Sequence, residues 1–230
     1  MPGILKDIIL YNDPNSQTAE AVRCLRTNIQ FLNIEGKTKV IAFTSGLPQE
    51  GKTFLTANLA VATAQSNKKT LLVDCDIRRG GITRLFGLNL KEGLSTFLAN
   101  KGLSLKELPL YDVGVDNLTI LPSGSPPANP AELLESEAMN NIISMGRDKF
   151  DIVYIDTPPV LSVADPIIIC KKADGVVFVA MANVSLTKLV KRSCATLKKS
   201  GVNIIGTVLN RVDMGASGYY RYKYKYYYGK

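Results

Sequence analysis

Histidine is absent from the 230-residue chain. That excludes histidine-based nucleophilic and general-base chemistry, together with histidine metal sites. Cysteine is sparse, and Cys24, Cys75, Cys170 and Cys194 show neither close pairing nor metal-ligand spacing. Dispersed thiols with no signal peptide before them fit the cytosol. No apolar run approaches the roughly 18 residues that span a bilayer, so any membrane association has to come through a partner. Internal repeats are missing too, and low complexity is confined to the C-terminal end.

What is present is a chain of 46% hydrophobic residues with a formal net charge of +8. Its length suits one α/β domain and a substantial core. The basic balance leaves nucleic acid, an anionic membrane surface or a phosphorylated ligand open. Short apolar runs at Val40–Phe43, Thr70–Val73, Leu118–Leu121, Ile152–Ile155, Val176–Val179 and Ile204–Leu209 predict buried strands. Near-continuous apolarity marks a parallel sheet covered on both faces. Helical patterns occupy 17–32, 52–66, 130–146 and 185–200, and Asn129-Pro130-Ala131-Glu132 predicts a capped helix start. Strand and helix alternating in this way imply an α/β fold with a doubly wound, mostly parallel sheet over residues 1–214. Gly215-Ala216-Ser217-Gly218 reads as a hinge to a separate tail, 215–230.

The tail is unusual. Seven of the ten tyrosines lie in the last twelve residues: Tyr219, Tyr220, Tyr222, Tyr224, Tyr226, Tyr227 and Tyr228, interleaved with Arg221, Lys223, Lys225 and Lys230. Alternating phenols and cations cannot form a core. They offer either a cluster of phosphoryl acceptors or a cation–aromatic surface for nucleic acid or membrane.

Gly46-Leu47-Pro48-Gln49-Glu50-Gly51-Lys52-Thr53 fits the phosphate-loop pattern G-x-x-x-x-G-K-[ST], between a predicted strand and a predicted helix. In that context backbone N–H groups face phosphate oxygens. Lys52 supplies a point charge for the β and γ phosphates, and the Thr53 hydroxyl is a Mg²⁺ ligand. The expected nucleotide-binding set is Gly46, Gln49, Glu50, Gly51, Lys52, Thr53 and Phe54. Two further strands end in carboxylates: Asp74 and Asp76 follow Leu71-Leu72-Val73, and Asp156 follows Ile152–Ile155. An apolar run ending in Asp is the Walker B form, and open α/β sheets collect ligands outside the carboxyl ends of their strands. An Asp after a strand is also a common turn residue or helix cap.

The phosphate loop, the apolar run ending Asp74-Cys75-Asp76-Ile77-Arg78, and the second run ending at Asp156 together resemble the bacterial tyrosine kinases of polysaccharide export. The nearest resemblance is to the capsule-biosynthesis kinases of Gram-positive bacteria, whose membrane activator is a separate chain. It covers nearly the whole sequence. Glu20, Arg23 and Arg26 resemble the family's E-x-x-R-x-x-R oligomerisation helix, although ordinary i, i+3 pairs on a solvated face give the same pattern. Leu121-Pro122-Ser123-Gly124 and Pro126–Leu134 resemble a further loop and helix, and the tyrosines resemble the family's tail cluster.

The resemblance implies a phosphate-loop ATPase fold of the Min/Par-like superfamily with deviant Walker motifs, using ATP and Mg²⁺. Lys52, Asp74, Asp76 and Asp156 become the catalytic group, with Thr53, Asp74 and Asp156 at the metal and Asp74 as the base facing the tyrosine hydroxyl. Asn210 and Arg211 fall where the superfamily contacts adenine. Implied partners are a transmembrane activator or polysaccharide co-polymerase subunit, further copies in a ring, a phosphotyrosine phosphatase, and polysaccharide-synthesis enzymes as substrates. No nucleic acid is expected. The implied location is the cytoplasm, at the inner face of the plasma membrane. Gln49 departs from the pattern, standing where many relatives have glycine, which tolerates positive φ. Gly80-Gly81 interrupts the usual sequence after Arg79. The main rival is a Min- or Par-type positioning ATPase without kinase activity. Such proteins carry a lysine after the first loop glycine, where this chain has Leu47.

Phosphoryl transfer relies on positioning and charge neutralisation more than on a strong base. Full proton transfer from an ordinary tyrosine to an ordinary aspartate is unfavourable by about 8 kcal/mol. Twelve extended residues span at most about 40 Å, so a tail can reach its own site or a neighbour's. Four phosphates would change the tail from +4 to roughly −2 to −4, enough to repel neighbouring tails.

Overall fold

The computed structural model describes residues 8–32, 38–89, 91–100 and 102–213. The expected hinge and tyrosine tail lie outside the described residues. Among the described residues seven strands form one sheet: β1 (Val40–Ser45), β2 (Thr70–Asp74), β3 (Tyr111–Asp112), β4 (Leu118–Leu121), β5 (Ile152–Asp156), β6 (Gly175–Met181) and β7 (Ile204–Asn210). Their order is β3-β4-β2-β5-β1-β6-β7. Every pairing is parallel except that of β3 with β4.

The helices divide between the two faces. On one lie α1 (Ile9–Asn12), α2 (Gln17–Leu32), α3 (Lys52–Ala64) and α4 (Gly81–Leu85). The other carries α5 (Leu94–Ala99), α6 (Pro130–Glu135), α7 (Glu137–Lys149), α8 (Asp165–Lys172) and α9 (Thr187–Lys199). Strand alternation feeds both cores. Ile41 and Phe43 enter the first cluster, whereas Val40 and Ala42 enter the second. All residues of β1, β2 and β5 are buried, which is why their sequences are mostly apolar rather than alternating, with polar residues only at their ends. Tyr154 fits this setting because its hydroxyl meets Thr63 Oγ1 at 3.1 Å while its ring packs edge-on against Phe43.

Several expectations need correction. Ile204–Leu209 does form a strand, but at the sheet edge, where among the described residues it pairs only with β6 and leaves Leu209 half exposed. The helix expected over 130–146 is two helices broken at Ser136, whose extended backbone and side-chain cap on the Met139 N–H start a new helix. Asn129 does not cap by its side chain; the Asn129 amide instead donates to Glu132. Short β3, α1, α4 and α5 escaped the pattern search because fewer than two full turns or alternations leave no period. Helix α8 had a readable start in Asp165-Pro166.

Because β5 lies between β2 and β1, the carboxyl ends of three strands converge on one edge of the sheet. Asp74 and Asp156 stand opposite each other in register there, beside the loop that follows β1.

Candidate functional site

The loop after β1 turns sharply into α3. Gln49 has φ 67° and Gly51 has φ 89°. Gln49 therefore holds a left-handed conformation that a side chain disfavours by roughly 1–2 kcal/mol. At Gly51 the need is also spatial, since a Cβ would lie 1.9 Å from the Asn210 amide nitrogen. That amide donates to the Glu50 carbonyl at 3.1 Å. The Glu50 carboxylate is buried and spent inside the loop, accepting from the Leu47 N–H at 2.8 Å and from the Ser185 hydroxyl. Glu50 thus shapes the loop with its side chain and leaves only its backbone for a ligand. Phe54 is half-buried on the first turn of α3.

Lys52 opens α3, 8% exposed. Its ammonium lies 3.5 Å from both Asp156 oxygens, 3.8 Å from Asp76 and 3.1 Å from Thr53 Oγ1. The Thr53 hydroxyl donates to Asp156 Oδ2 at 2.7 Å. Asp74, Asp76 and Asp156 are all buried. Two carboxylates, Asp76 and Asp156, thus share one ammonium, and Asp74 lies in register beside Asp156. Burial raises the pKa of Asp156 against the opposing pull of Lys52. Asp74 goes up to about 7, first through burial and then through the Asp156 charge.

Asp74 divides its two oxygens. Oδ2 accepts from the Thr83 N–H at 2.9 Å and the Thr83 hydroxyl at 2.7 Å. Oδ1 is buried without a partner among the described residues. Thr83 is in turn held by the Ser123 N–H, which donates to its hydroxyl at 2.9 Å. Thr83 escaped the sequence reading because a threonine nine residues past an aspartate carries no local pattern. Ser123 was part of the Leu121–Gly124 resemblance but had no role assigned.

This donor set fits a bound cation. It combines an excess of buried acceptors, an orphaned carboxylate oxygen and a threonine hydroxyl, all of oxygen type. Among the described residues no three carboxylates form a protein-only metal cage.

The segment after Asp76 explains the Gly80-Gly81 departure. Gly80, at φ 61°, caps α4, and Gly81 packs where a Cβ would sit 3.0 Å from the Thr53 side chain. Arg78 makes a paired contact with Asp165 at the start of α8, Nε to Oδ2 at 2.7 Å and Nη2 to Oδ1 at 3.1 Å. The sequence did not single out Asp165, which is fully buried. Arg211 is exposed, and its N–H is held by Asn210 Oδ1 at 2.9 Å. Asn210 therefore closes on the loop, with Arg211 at its rim.

The predicted oligomerisation residues sit apart from this centre on α2. Glu20 and Arg23 pair within the helix at 3.2 Å, and Arg23 also donates to the Pro14 carbonyl. Arg26 turns inward to the Ala62 carbonyl at 3.4 Å, near the end of α3.

With this geometry in place, the likenesses are consistent. The AAA domain family matches residues 38–200. A tyrosine-protein kinase, wzc, of Salmonella typhimurium is 36% identical over 94% of this chain, which spans only 30% of that relative's length. Tyrosine-protein kinase YwqD of Bacillus subtilis is 34% identical over 94% of this chain and 91% of its own. The kinase domain of Escherichia coli tyrosine kinase ETK superposes with a TM-score of 0.86 at 33% identity, covering 92% of this chain and 83% of that one. The septum site-determining protein MinD of Pyrococcus horikoshii, solved with Mg-ADP, shares the fold more distantly, with a TM-score of 0.64 at 26% identity over 79% of this chain and 72% of its own.

Proposed function

The chain belongs to the AAA domain family and, within it, to the bacterial tyrosine-protein kinases, and from that premise we propose that it transfers the γ-phosphoryl group of ATP to the tyrosines of its own tail, between subunits. The observation that carries this reading is the convergence of Lys52, Asp74, Asp76 and Asp156 beside a phosphate loop, with one Asp74 oxygen left unengaged.

In the transfer, an O–P bond forms at the phenolic oxygen and the bond to the β–γ bridging oxygen breaks, leaving ADP. The phenolic proton passes to Asp74. In the nucleotide-free protein burial and the Asp156 charge raise the pKa of this carboxyl to about 7, which narrows its gap to tyrosine. Lys52 holds the transferring phosphoryl group by charge. Thr53, Asp156 and Asp74 would hold Mg²⁺, which supplies charge neutralisation on the phosphate oxygens. Asn210 and Arg211 border the adenine end, and Thr83 fixes the direction of Asp74.

By the same reading the kinase governs capsular or exopolysaccharide synthesis. It acts with a transmembrane activator at the inner face of the plasma membrane and as a ring of copies joined through α2. A phosphotyrosine phosphatase resets it, and polysaccharide-synthesis enzymes are its external substrates. Among the described residues no helix is long and apolar enough to cross a membrane. Leu47 in place of a loop lysine supports the kinase reading over a positioning ATPase, as do the relatives' names.

The test is transfer of labelled phosphate from ATP to wild type, to Lys52→Met and to a chain lacking 219–230, each with and without an activator peptide. Label is expected on wild type alone. Label on Lys52→Met, or ATP turnover with bare tail tyrosines, refutes the assignment.

A further inference from the structure

Helix α9 carries Lys188, Lys191, Arg192, Lys198 and Lys199, and all five are exposed. Their spacing of i, i+3, i+4, i+10 and i+11 places them on one face of an α-helix. The opposite side is buried through Ser193 and Leu197. The helix contains no aspartate or glutamate. Among the described residues none of the five cations pairs with a carboxylate. The stripe is about 17 Å long. Just ahead of it Val184 and Leu186 are 58% and 66% exposed, among the most exposed large apolar side chains of the described residues.

A row of like charges without counter-ions repels itself, so it is stabilised by whatever brings negative charge to it. Four of the five are lysines, point charges on flexible stems rather than planar forks shaped for one particular carboxylate. That composition matches a diffuse anionic surface better than a specific acidic peptide. Apolar side chains at the leading end add the second element of interfacial binding, insertion beside the headgroups. A single-stranded nucleic acid would want aromatic platforms beside the cations. The exposed aromatics among the described residues, Tyr11 and Phe31, lie on α1 and α2 across the sheet from α9.

We propose that the cationic face of α9, with Val184 and Leu186 at its leading end, docks directly on an anionic lipid bilayer. Ser185, between the two apolar residues, hydrogen-bonds Glu50 of the phosphate loop. A docked bilayer would therefore lie alongside the nucleotide site. This contact departs from the expectation that membrane association comes through a partner, because a surface helix can dock without spanning the bilayer. It is separate from any activator and independent of the phosphoryl-transfer reading.

The experiment is flotation of the full chain with vesicles of phosphatidylcholine alone or with one third phosphatidylglycerol, at low and high salt. Wild type is expected to float only with the anionic vesicles and to be released by salt. The double variant Lys191→Gln/Lys198→Gln is expected to bind on the order of tenfold more weakly or worse. Leu186→Ser is expected to weaken binding to the anionic vesicles at low salt. All changed side chains are exposed, so unaltered circular dichroism and nucleotide binding will show the variants folded. The basic tail is present throughout. Equal flotation of wild type and the double variant would place the contact elsewhere and overturn the proposal. So would flotation on neutral vesicles, or capture by single-stranded RNA without capture by lipid.

Discussion

Thr83 gives both its backbone N–H and its hydroxyl to one oxygen of Asp74 and leaves the other oxygen bare. The two bonds orient the carboxylate and favour its ionised form, against the burial that raises its pKa. A charge-assisted hydrogen bond of this kind contributes about 1.5–3 kcal/mol.

Thr83→Val keeps the shape and removes the hydroxyl. The Asp74 pKa then rises further, so the acid limb of the rate–pH profile moves to higher pH. Turnover at neutral pH is expected to fall about tenfold with little change in the KM for ATP. Thr83→Ser should restore it. A pH–rate series on the three proteins decides the matter, and an unshifted acid limb would remove Thr83 from the mechanism.

Asp74 also ties the stability of the nucleotide-free protein to pH. Its folded pKa of about 7 stands above the unfolded value near 3.8. The folded state therefore holds a proton that the unfolded state has lost, and stability falls as pH rises from about 4 to about 7. The contribution is on the order of 4 kcal/mol, present in full below the lower value and gone above the upper. Denaturant unfolding at pH 5 and pH 8 should show this slope in wild type and a flatter one in Asp74→Asn.

Gln49 stands in the left-handed region without being glycine. Gln49→Gly relieves that strain, offset by the added freedom of the unfolded chain, for a net gain of about 0.5–1 kcal/mol. A rise in melting temperature and tighter ATP binding are expected, measured by thermal unfolding and calorimetry. A lower melting temperature would mean that the Gln49 side chain contributes more than its backbone costs.

Asp165 has 1% side-chain exposure and depends on Arg78, which is 41% exposed. Removing the arginine strands a buried carboxylate. Full burial of both partners would make that worth about 3–5 kcal/mol, but solvent screening at Arg78 brings the expected loss to about 2–3 kcal/mol. Arg78→Ala should show it as a lower urea midpoint. In Arg78→Ala/Asp165→Asn much of the loss should return, because the stranded charge is gone.

The loop 46–53 and the positions of Asp74, Asp76 and Asp156 were readable in advance because their signals are local. A glycine pattern between strand and helix, or an apolar run ending in a carboxylate, needs no knowledge of distant chain. The same holds for β1, β2, β4, β5 and β6, whose burial is written as predominantly apolar runs. The edge position of β7 was not legible, since an edge strand in a parallel sheet has nearly the composition of a central one. The break at Ser136 was hidden because apolar spacing continues across it from α6 to α7.

By itself the sequence determined the fold class, the phosphate loop and the identity of the acidic residues, since these follow from periodicity, turn chemistry and backbone preference within a few residues. Only the tertiary structure decided that β5 lies between β2 and β1, bringing Asp74 opposite Asp156. It alone decided that Thr83 claims one Asp74 oxygen, that Asn210 closes on Gly51, and that Arg78 reaches Asp165. Each of these contacts joins residues whose local sequences carry no trace of one another. Strand order and the packing of helices on the sheet create them, by minimising exposed apolar surface and unsatisfied polar groups over the whole chain at once.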